Sequence, residues 1–301
     1  MSILEARFST EEACRAYLFN LRWPDGFRCP RCNHVAAWTI SKGLYQCREC
    51  HYKVSITAGT IFEGTRKPLT LWFRAVWLVT SSKNGASALG LQRILGLGSY
   101  ETAWTWLHKL RRAMVRPGRD RLSGQIEVDE TYIGGEKHGK RGRGAYGKAL
   151  VVIASQIDGK HIGRIRLRRV MNASATSLEE AIQQAIEPGS TILTDGWKGY
   201  SQLESLGYVH DIIRHETAIG DNLLPRCNRV ASLLKRWLMG THQGGISHEH
   251  LDYYLDEYTF RFNRRTSRYR GKLFFRLLQQ AMNTNPAPYN KLIKKMKGSK
   301  T

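Results

Sequence analysis

Apolar and polar side chains alternate most clearly in residues 126–135. Ile126 and Val128 are apolar, the intervening Glu127 and Asp129 are acidic, and aromatic and β-branched residues then lead to a pair of glycines. A period of two predicts a β-strand. Carboxylates are usually kept out of half-buried strands because desolvating the charge is costly. Asp129 therefore indicates either a solvated strand face or a site where a cation compensates the charge.

The pattern after this strand predicts an α/β domain. Residues 136–146, rich in glycine, lysine and arginine, have no apolar period and are predicted to form a basic, hairpin-like loop. Two strands, a helix capped by Thr176 or Ser177 and a short buried strand are then expected at residues 149–156, 162–168, 176–186 and 191–194. Three strands in a meander, a crossover helix and another strand have the order of a ribonuclease H-like fold, the mixed sheet of retroviral integrases.

In such a sheet two acids come to the same edge. Asp129 lies on the first strand and Asp195 ends the fourth. Two carboxylates a few ångströms apart repel each other, and a pair of hard divalent cations bound through oxygen relieves the repulsion. Such cations activate a water molecule or a 3′-hydroxyl in phosphodiester transfer. The sequence thus predicts a Mg²⁺ site formed by Asp129 and Asp195.

A third ligand is expected from a later helix, predicted at residues 226–240. Apolar residues form one face of this helix, whereas Asn228 and Lys235 lie two turns apart on another face. Asn228 could offer a carbonyl oxygen to a metal, and Lys235 could bind a phosphate. Equally, an asparagine at a helix start is often a cap, and a lysine is often solvated. Glu257, in a helix predicted at residues 250–263, is the alternative third acid.

Other polar and aromatic side chains have supporting or structural interpretations. Glu127 shares the strand face of Asp129 and Glu130 takes the other face, so either could support the metal ligands. Trp197 and Tyr200 are expected to pack the Asp195 loop rather than stack on a base. Several histidines show no tight metal spacing and are expected to be structural or exposed: His210, His215, His242, His248 and His250.

The first part of the chain carries a metal motif after a helix predicted at residues 9–21. Two Cys-x-x-Cys pairs, Cys29 with Cys32 and Cys47 with Cys50, flank a short β-type segment. This arrangement predicts a zinc ribbon in which four thiolates close a tetrahedron around structural Zn²⁺. Redox dithiols are the alternative. The remaining cysteines, Cys14 and Cys227, are expected to be small buried hydrophobes.

Helical periodicity dominates from residue 70 to about residue 115. Three helices are predicted, and the break at residues 96–99 resembles the turn of a helix-turn-helix. An ordinary small helical bundle is the alternative. With the ribbon, this region would make residues 1 to about 118 a DNA-recognition unit that ends in a Pro-Gly linker.

Charge supports a nucleic-acid partner. The 301 residues include 47 Lys and Arg against 25 Asp and Glu, a formal net charge of +22, with 42% hydrophobic residues. Such an excess on a folded chain indicates a polyanionic partner. No apolar run of transmembrane length and no signal peptide are evident, so a soluble, cytoplasmic protein is expected. The predicted parts are a helix with the ribbon, a helical DNA-binding region, a catalytic domain and a basic tail, at residues 1–62, 63–118, 119–270 and 271–301.

Several motifs together resemble bacterial insertion-sequence transposases of the DDE type, in the group whose zinc ribbon precedes a ribonuclease H-like catalytic domain. Besides the ribbon, they are Val-Asp-Glu-Thr-Tyr-Ile-Gly-Gly, Thr-Asp-Gly-Trp-Lys-Gly-Tyr, Asn-Arg-Val-Ala-Ser-Leu-Leu-Lys, Gly-Thr-His-Gln-Gly-Gly and Leu-Asp-Glu-Tyr-Thr-Phe-Arg-Phe-Asn-Arg-Arg. The resemblance extends from about residue 8 to residue 280. It implies binding of the element's terminal inverted repeats, and DNA cleavage and strand transfer with Mg²⁺ or Mn²⁺.

Position by position, Asp129 and Asp195 match the first two catalytic acids of these transposases. Asn228 falls at the third position, where the wider superfamily has glutamate and this group also has asparagine or histidine, and Lys235 matches a basic residue two turns later. The resemblance further implies double-stranded DNA as partner, in transposon ends and target, at least two protomers to act on two ends, and a place at the nucleoid.

Two other functions stay open at the level of sequence. A DNA-binding regulator with a silent core would use the ribbon and helices alone, and Asn228 leaves room for it. A structure-selective nuclease would use the same fold and metal site without joining DNA.

Overall fold

The computed structural model describes residues 6–41, 43–116, 118–134, 148–214 and 223–293. The chain divides into two compact units. The first runs to Arg116 and resumes at Ser267, and the second extends from Pro117 to Thr266. The predicted basic loop at residues 136–146, His215 and the end of the predicted tail lie outside the described residues.

A helix and a three-stranded sheet open the first unit. Thr10 caps helix α1, Glu11–Arg22, by accepting a hydrogen bond from the N–H of Ala13. The sheet is antiparallel with β2 in the centre, and β1, β2 and β3 cover Ala37–Ser41, Leu44–Cys47 and Lys53–Ser55. In β1 every residue after Ala37 is exposed, so this edge strand presents both of its faces to solvent.

Three helices follow close to their predicted positions: α2, Leu69–Ser81; α3, Ala88–Leu95; and α4, Tyr100–Ala113. Gly96 ends α3 in the left-handed conformation, with φ of 62°, and Ser99 caps α4 by accepting from the N–H of Thr102. This tight turn between two helices agrees with the predicted helix-turn-helix pattern. Trp72 of α2 stacks on Trp106 of α4 with 3.8 Å between ring centroids.

The segment predicted as a basic tail from residue 271 contains a packed helix instead. Helix α8, Arg270–Met282, belongs to the first unit and buries Leu273, Phe274, Leu277 and Leu278. The ring of Phe274 lies 5.7 Å from those of Phe8 and Phe73, and the Gln280 side chain donates to the carbonyl oxygen of Ala113. Apolar residues spaced by one helical turn bury one face, although basic residues occupy the rest of the helix. A short helix, α9, Tyr289–Ile293, follows.

The second unit is built on a five-stranded mixed sheet. Its strands β4 to β8 cover, in chain order, Gln125–Ile133, Ala149–Asp158, His161–Val170, Thr191–Thr194 and Val209–Ile212. Their order in the sheet is β6-β5-β4-β7-β8. Strands β4 to β6 form an antiparallel meander, whereas β7 pairs in parallel with β4 and β8 in parallel with β7. This confirms the predicted α/β, ribonuclease H-like fold, to which the structure adds β8.

Helices cover both faces of this sheet. On one face, α6, Pro225–His242, and α7, Leu251–Phe262, pack against β5 and β6 through apolar residues such as Ile153 and Leu234. On the other face, α5, Ala175–Ala185, packs with Ile126 and Val128 of β4. The cap of α5 is Ser174 rather than the predicted Thr176 or Ser177, because its side chain accepts from the N–H of Ser177.

Within the described residues, every helix is too short or too polar to cross a membrane.

Replacing Phe274 by alanine is expected to lower the free energy of unfolding of the first unit by about 3–5 kcal/mol, because a buried aromatic ring leaves a cavity. Phe275 is the next residue of the same helix and is 42% exposed. Phe275→Ala is therefore expected to cost no more than about 0.5 kcal/mol. Urea unfolding of the full chain, followed by fluorescence, measures both. Equal losses would contradict the buried face assigned to α8.

Candidate active site and metal centre

The four motif cysteines come together in the first unit. Their sulfur atoms all lie within 4.8 Å of one another, with 3.6 Å between those of Cys29 and Cys50 and 3.5 Å between those of Cys32 and Cys47. Tetrahedral Zn²⁺ with four bonds of about 2.3 Å separates its sulfur ligands by about 3.8 Å. The donor set therefore fits structural zinc, and the chemistry of four thiolates leaves no open position for catalysis.

Each cysteine pair lies on a tight turn. Asn33 after the first pair and His51 after the second have positive φ angles, 63° and 56°. The N–H of Asn33 donates to the carbonyl oxygen of Cys29, and the N–H of Arg31 points at the Cys29 sulfur from 3.4 Å. Backbone N–H groups thus face the site where the negative charge of the thiolates would gather. Cys14 and Cys227 are both fully buried, as expected.

In the second unit, strand register brings Asp129 and Asp195 to one edge of the sheet. Glu127 of β4 pairs in parallel with Leu193 of β7. Continued by two residues, this register would place Asp129, in the middle of β4, beside Asp195, which directly follows the last residue of β7. Asp129 is half-buried and Asp195 is exposed. Each also accepts a backbone hydrogen bond, from the N–H of Glu130 at 2.8 Å and from that of Trp197 at 3.0 Å.

Tyr200 ties the turn after Asp195 to β4. Its side chain is fully buried, and its hydroxyl donates to the Glu130 carboxylate at 2.5 Å. Burial and the charge of Glu130 raise the pKa of Tyr200 well above its usual value, and the charges of Asp129 and Asp195 add to this. All three carboxylates therefore lie close to one phenol. Trp197 also packs, donating to the carbonyl oxygen of Ala173, so both aromatic residues hold the loop as predicted.

Helix α6 brings Asn228 and Lys235 to the same side of the sheet as Asp129. The neighbour of Asn228, Cys227, is buried, with its sulfur 3.3 Å from the carbonyl oxygen of Glu127. Burial and the charges of Asp129 and Glu127 raise the pKa of the Cys227 thiol well above its usual value. Asn228 itself is exposed in the first turn of the helix.

Lys235 lies close enough to Asp129 and Lys148 for their charges to shift its pKa. Partial desolvation and the neighbouring Lys148 lower the pKa of Lys235, and the charge of Asp129 opposes this shift. A cavity of about 450 Å³ lies beside both lysines and is also lined by Tyr132 and Met239. Lys148 was missed at the level of sequence. It follows a basic stretch without apolar period, and only the folded chain brings it beside Lys235, next to the end of β4 at Ile133.

Among the described residues of this unit, Glu127 and Glu257 are the acids whose side chains are almost fully buried. Glu127, on the strand face of Asp129, accepts hydrogen bonds from the start of α6. Glu257, the alternative third acid, pairs instead with Arg261 of its own helix at 2.8 Å. That helix packs against β6, two strands from β4.

The histidines of the second unit that the structure describes have separate environments. His210 on β8 shares a hydrogen bond of 2.8 Å with the hydroxyl of Thr194, and His242 packs edge-on against the rings of Trp237 and Tyr254. His250 bonds with the Ser247 hydroxyl. These contacts agree with the structural roles expected for them.

The chemistry of the acid site suits a hard divalent cation. Asp129 and Asp195 offer carboxylate oxygens in mutual repulsion, and a cation bound between them would relieve it. Asn228 can add a neutral oxygen, and the lysines can face an anion such as a phosphate. Side chains that could bind a cation and side chains that could contact an anion thus occur in the same region, as phosphodiester chemistry requires.

Comparison with known proteins finds a family match in each of the two units. Residues 9–53 match the transposase zinc-ribbon domain, and residues 121–263 match the ISXO2-like transposase domain, so the two matches cover well over half of the chain. The chain is also 27% identical over 277 residues to the "Uncharacterized protein in transposable element ISH50" of Halobacterium salinarum, over 84% of this chain and 91% of that protein. With its four-cysteine site and mixed sheet, the chain belongs to the insertion-sequence transposases that carry an N-terminal zinc ribbon and an ISXO2-like transposase domain.

Proposed function

We propose that this transposase binds the terminal inverted repeats of its insertion sequence and catalyses metal-dependent cleavage and transfer of DNA strands. The observation that supports the proposal is the parallel pairing of β4 and β7, with Glu127 beside Leu193, because the same register continued by two residues would bring Asp129 beside Asp195. Asn228 on α6 is the proposed third ligand, and Lys235 is the proposed phosphate contact. Burial and Lys148 lower the pKa of Lys235 while the charge of Asp129 opposes the shift, and this proximity supports grouping the two residues in one site.

Each side chain has a distinct role in this proposal. Asp129 and Asp195 would hold Mg²⁺ or Mn²⁺ through carboxylate oxygens, and Asn228 through its side-chain carbonyl. When bound there, the cation would help to activate a water molecule or a 3′-hydroxyl and to stabilise the leaving oxygen. Lys235 neutralises a phosphate as a point charge. Tyr200 and Glu130 keep the turn after Asp195 against β4.

Cleavage and transfer are the same exchange at phosphorus. In cleavage, water attacks a phosphodiester at the transposon end, one P–O bond forms and another breaks, and a 3′-hydroxyl is left. In transfer, this hydroxyl attacks a phosphodiester of the target, whose own 3′-oxygen departs with a proton. No oxidant or further energy source is needed, so the side chains have only to position the groups and stabilise charge.

The neutral amide at residue 228 sets the strength of metal binding. Asparagine offers one oxygen without charge, where glutamate would offer a carboxylate. Losing one negative charge weakens attraction for a second cation without removing the ligand. The site is therefore expected to work, with weaker metal binding than a three-carboxylate site.

The ribbon is the proposed contact for the transposon ends. Trp38 on the edge strand β1 is 45% exposed, the ring of His51 stacks beside it, and the guanidinium of Arg48 lies 5.7 Å from its centroid. An exposed aromatic ring beside basic groups suits nucleic acid, which offers stacking faces and phosphates. The +22 charge of the chain favours the same partner.

The assembly and its location follow from the substrate. Joining two transposon ends requires two active sites, so we propose a homodimer or higher oligomer in a complex with paired DNA ends. Its place of action is the nucleoid in the cytoplasm, where the element and its targets lie.

Asp129→Ala is expected to abolish strand transfer in Mg²⁺, because one of two ligand carboxylates is lost. Asn228→Glu is expected to keep or raise it, because the added charge strengthens metal binding. Asp211→Ala is the matched control, since Asp211 is exposed on β8 of the same sheet and is expected to leave activity unchanged. The assay incubates the purified protein with Mg²⁺ and labelled DNA of the element's ends and separates nicked, hairpin and joined products.

Three outcomes of this assay would contradict the proposal. Full strand transfer by Asp129→Ala would remove the assignment of the metal site. Binding of the ends by the unaltered chain without any product would indicate a regulator with a silent core. Degradation that ignores the end sequence, without joining, would indicate a nuclease.

Removal of zinc is expected to unfold the ribbon and abolish binding of the transposon ends, because a structural zinc site supplies folding free energy. Cys32→Ser should lose the metal, whereas Cys14→Ala, which changes a buried thiol outside the tetrad, should keep one zinc per chain. Elemental analysis and proteolysis of residues 9–53 measure the two effects. Retention of stoichiometric zinc by Cys32→Ser would rule out the four-thiolate site.

Trp38→Ala is expected to weaken binding of terminal-repeat DNA by roughly fivefold to a hundredfold, in line with about 1–3 kcal/mol per stacked base. Tyr269→Ala is the control, because Tyr269 is 65% exposed in the same unit and also carries a cation, Lys272, over its ring. Fluorescence anisotropy with labelled DNA gives both affinities. An equal effect of the two variants would argue against the ribbon face as the specific contact.

A further inference from the structure

Glu127 is a buried acid next to the proposed metal site. It lies two residues before Asp129 on β4, on the same face of the strand, and is only 2% exposed. A carboxylate so deeply buried is tolerated when charged or polar partners compensate for lost hydration. The groups that hydrogen-bond to the Glu127 carboxylate therefore indicate its structural role.

The partners of Glu127 are all at the start of α6. One carboxylate oxygen accepts from the backbone N–H groups of Arg226, at 2.7 Å, and Cys227, at 3.0 Å. The other oxygen accepts from the Arg226 guanidinium at 2.9 Å. The second terminal nitrogen of this guanidinium donates to the carbonyl oxygen of Gly159, in the turn between β5 and β6.

These contacts replace a helix cap. Helix α6 begins at Pro225, and Leu224 at the capping position has an apolar side chain that makes no capping hydrogen bond. The first N–H groups of a helix lack partners within the helix, and a negative charge there also interacts favourably with the helix dipole. Glu127 supplies both the hydrogen-bond acceptor and the negative charge. Because it does so from a strand, it joins α6 to β4 as well as capping the start of the helix.

We propose that Glu127 is a positioning residue of the catalytic site, which fixes the start of α6 and thereby the place of Asn228 relative to Asp129. This inference rests on the proposed function, because it assumes that Asn228 and Asp129 act together. Asn228 directly follows Cys227, whose N–H and sulfur are both held against β4. Glu127 and Asp129 share one strand, so the buried carboxylate of Glu127 connects the helix that carries one proposed ligand to the strand that carries the other.

Metal sites are sensitive to this kind of support. Ligands must be held within about 0.5 Å of productive geometry, and loss of a supporting contact typically lowers metal affinity or activity about 10–100-fold. Removing a carboxylate that only stabilises the fold would lower the free energy of unfolding without changing the affinity for metal. Metal affinity therefore separates a positioning role from a structural one.

The chain offers a matched control in Glu257. Its carboxylate is 1% exposed and pairs with Arg261 at 2.8 Å, so it repeats the chemistry of a buried carboxylate–arginine pair in the same unit. That pair lies within α7, a helix that packs against β6 rather than carrying a proposed ligand. Loss of charge at Glu257 should therefore affect stability alone.

The test has two measurements on the full chain. Electron paramagnetic resonance measures Mn²⁺ binding in the absence of DNA, independently of activity. A separate assay measures strand transfer. Glu127→Gln is expected to bind Mn²⁺ at least tenfold more weakly and to lose strand transfer by a similar factor. Glu257→Gln is expected to match the unaltered chain in both. Asp129→Ala defines the signal of a chain without the site.

A second substitution tests the mechanism. In Glu127→Gln, the amide oxygen can still cap the helix, but the amide N–H groups face the Arg226 guanidinium, so two donors meet. Adding Arg226→Gln turns this contact into an amide hydrogen bond, and the double variant is expected to recover at least threefold in Mn²⁺ affinity. If Glu127→Gln does not fold, Arg226→Gln alone should still weaken Mn²⁺ binding, because it removes one contact and leaves the cap.

The outcomes distinguish failure of the positioning role of Glu127 from failure of the proposed function. If Asp129→Ala is inactive but Glu127→Gln and Arg226→Gln bind Mn²⁺ like the unaltered chain, the positioning role is overturned and the proposed function stands. Equal loss of Mn²⁺ affinity in Glu257→Gln would also overturn it, since general destabilisation would then explain the effect. An active Asp129→Ala would overturn both.

Discussion

Strands β4 and β7 run parallel, with Gln125 beside Thr191 and Glu127 beside Leu193, and the second unit depends on this pairing. Parallel neighbours cannot be joined by a hairpin and need a crossover connection. Here the chain forms β5, β6 and α5 before it returns as β7. The carboxyl ends of β4 and β7 therefore lie at one edge, where residues far apart in the sequence become neighbours.

The apolar layers on the two faces of the sheet keep this register in place. Ile126 and Val128 of β4 are fully buried with residues of α5 on one face. The other face of the sheet is covered by α6 and α7. A slip of one residue would exchange the two faces of β4 and move Glu127 and Asp129 into the layer against α5. Burial of hydrophobic side chains thus determines which way the acids point.

Much of this arrangement could be predicted from sequence, because the relevant signals are local and strongly periodic. The period of two in β4, the two cysteine pairs and the turn at Gly96 each correspond to an element in the structure. Strand β8 was not predicted, because four residues that include His210 and Asp211 at an exposed edge carry no clear alternation. The sequence predicts a basic tail where α8 lies, because its basic residues mask the helical spacing of Leu273, Leu277 and Leu278.

The acids near the candidate site differ in how far other groups of the protein compensate their negative charge. Along β4 the pleat sends Glu127 and Asp129 to one face and Glu130 to the other. Glu127 meets the start of α6 and Glu130 meets the phenol of Tyr200, so each is bound to an element that carries another residue of the site. Neither set of partners could be read from sequence, since α6 and the turn after Asp195 reach β4 only in the folded chain. Asp129 is half-buried and Asp195 is exposed, so water and ions reach both of them more readily than they reach Glu127. The buried acid therefore links two elements of the fold, while the more accessible pair is the one proposed to bind the metal ion.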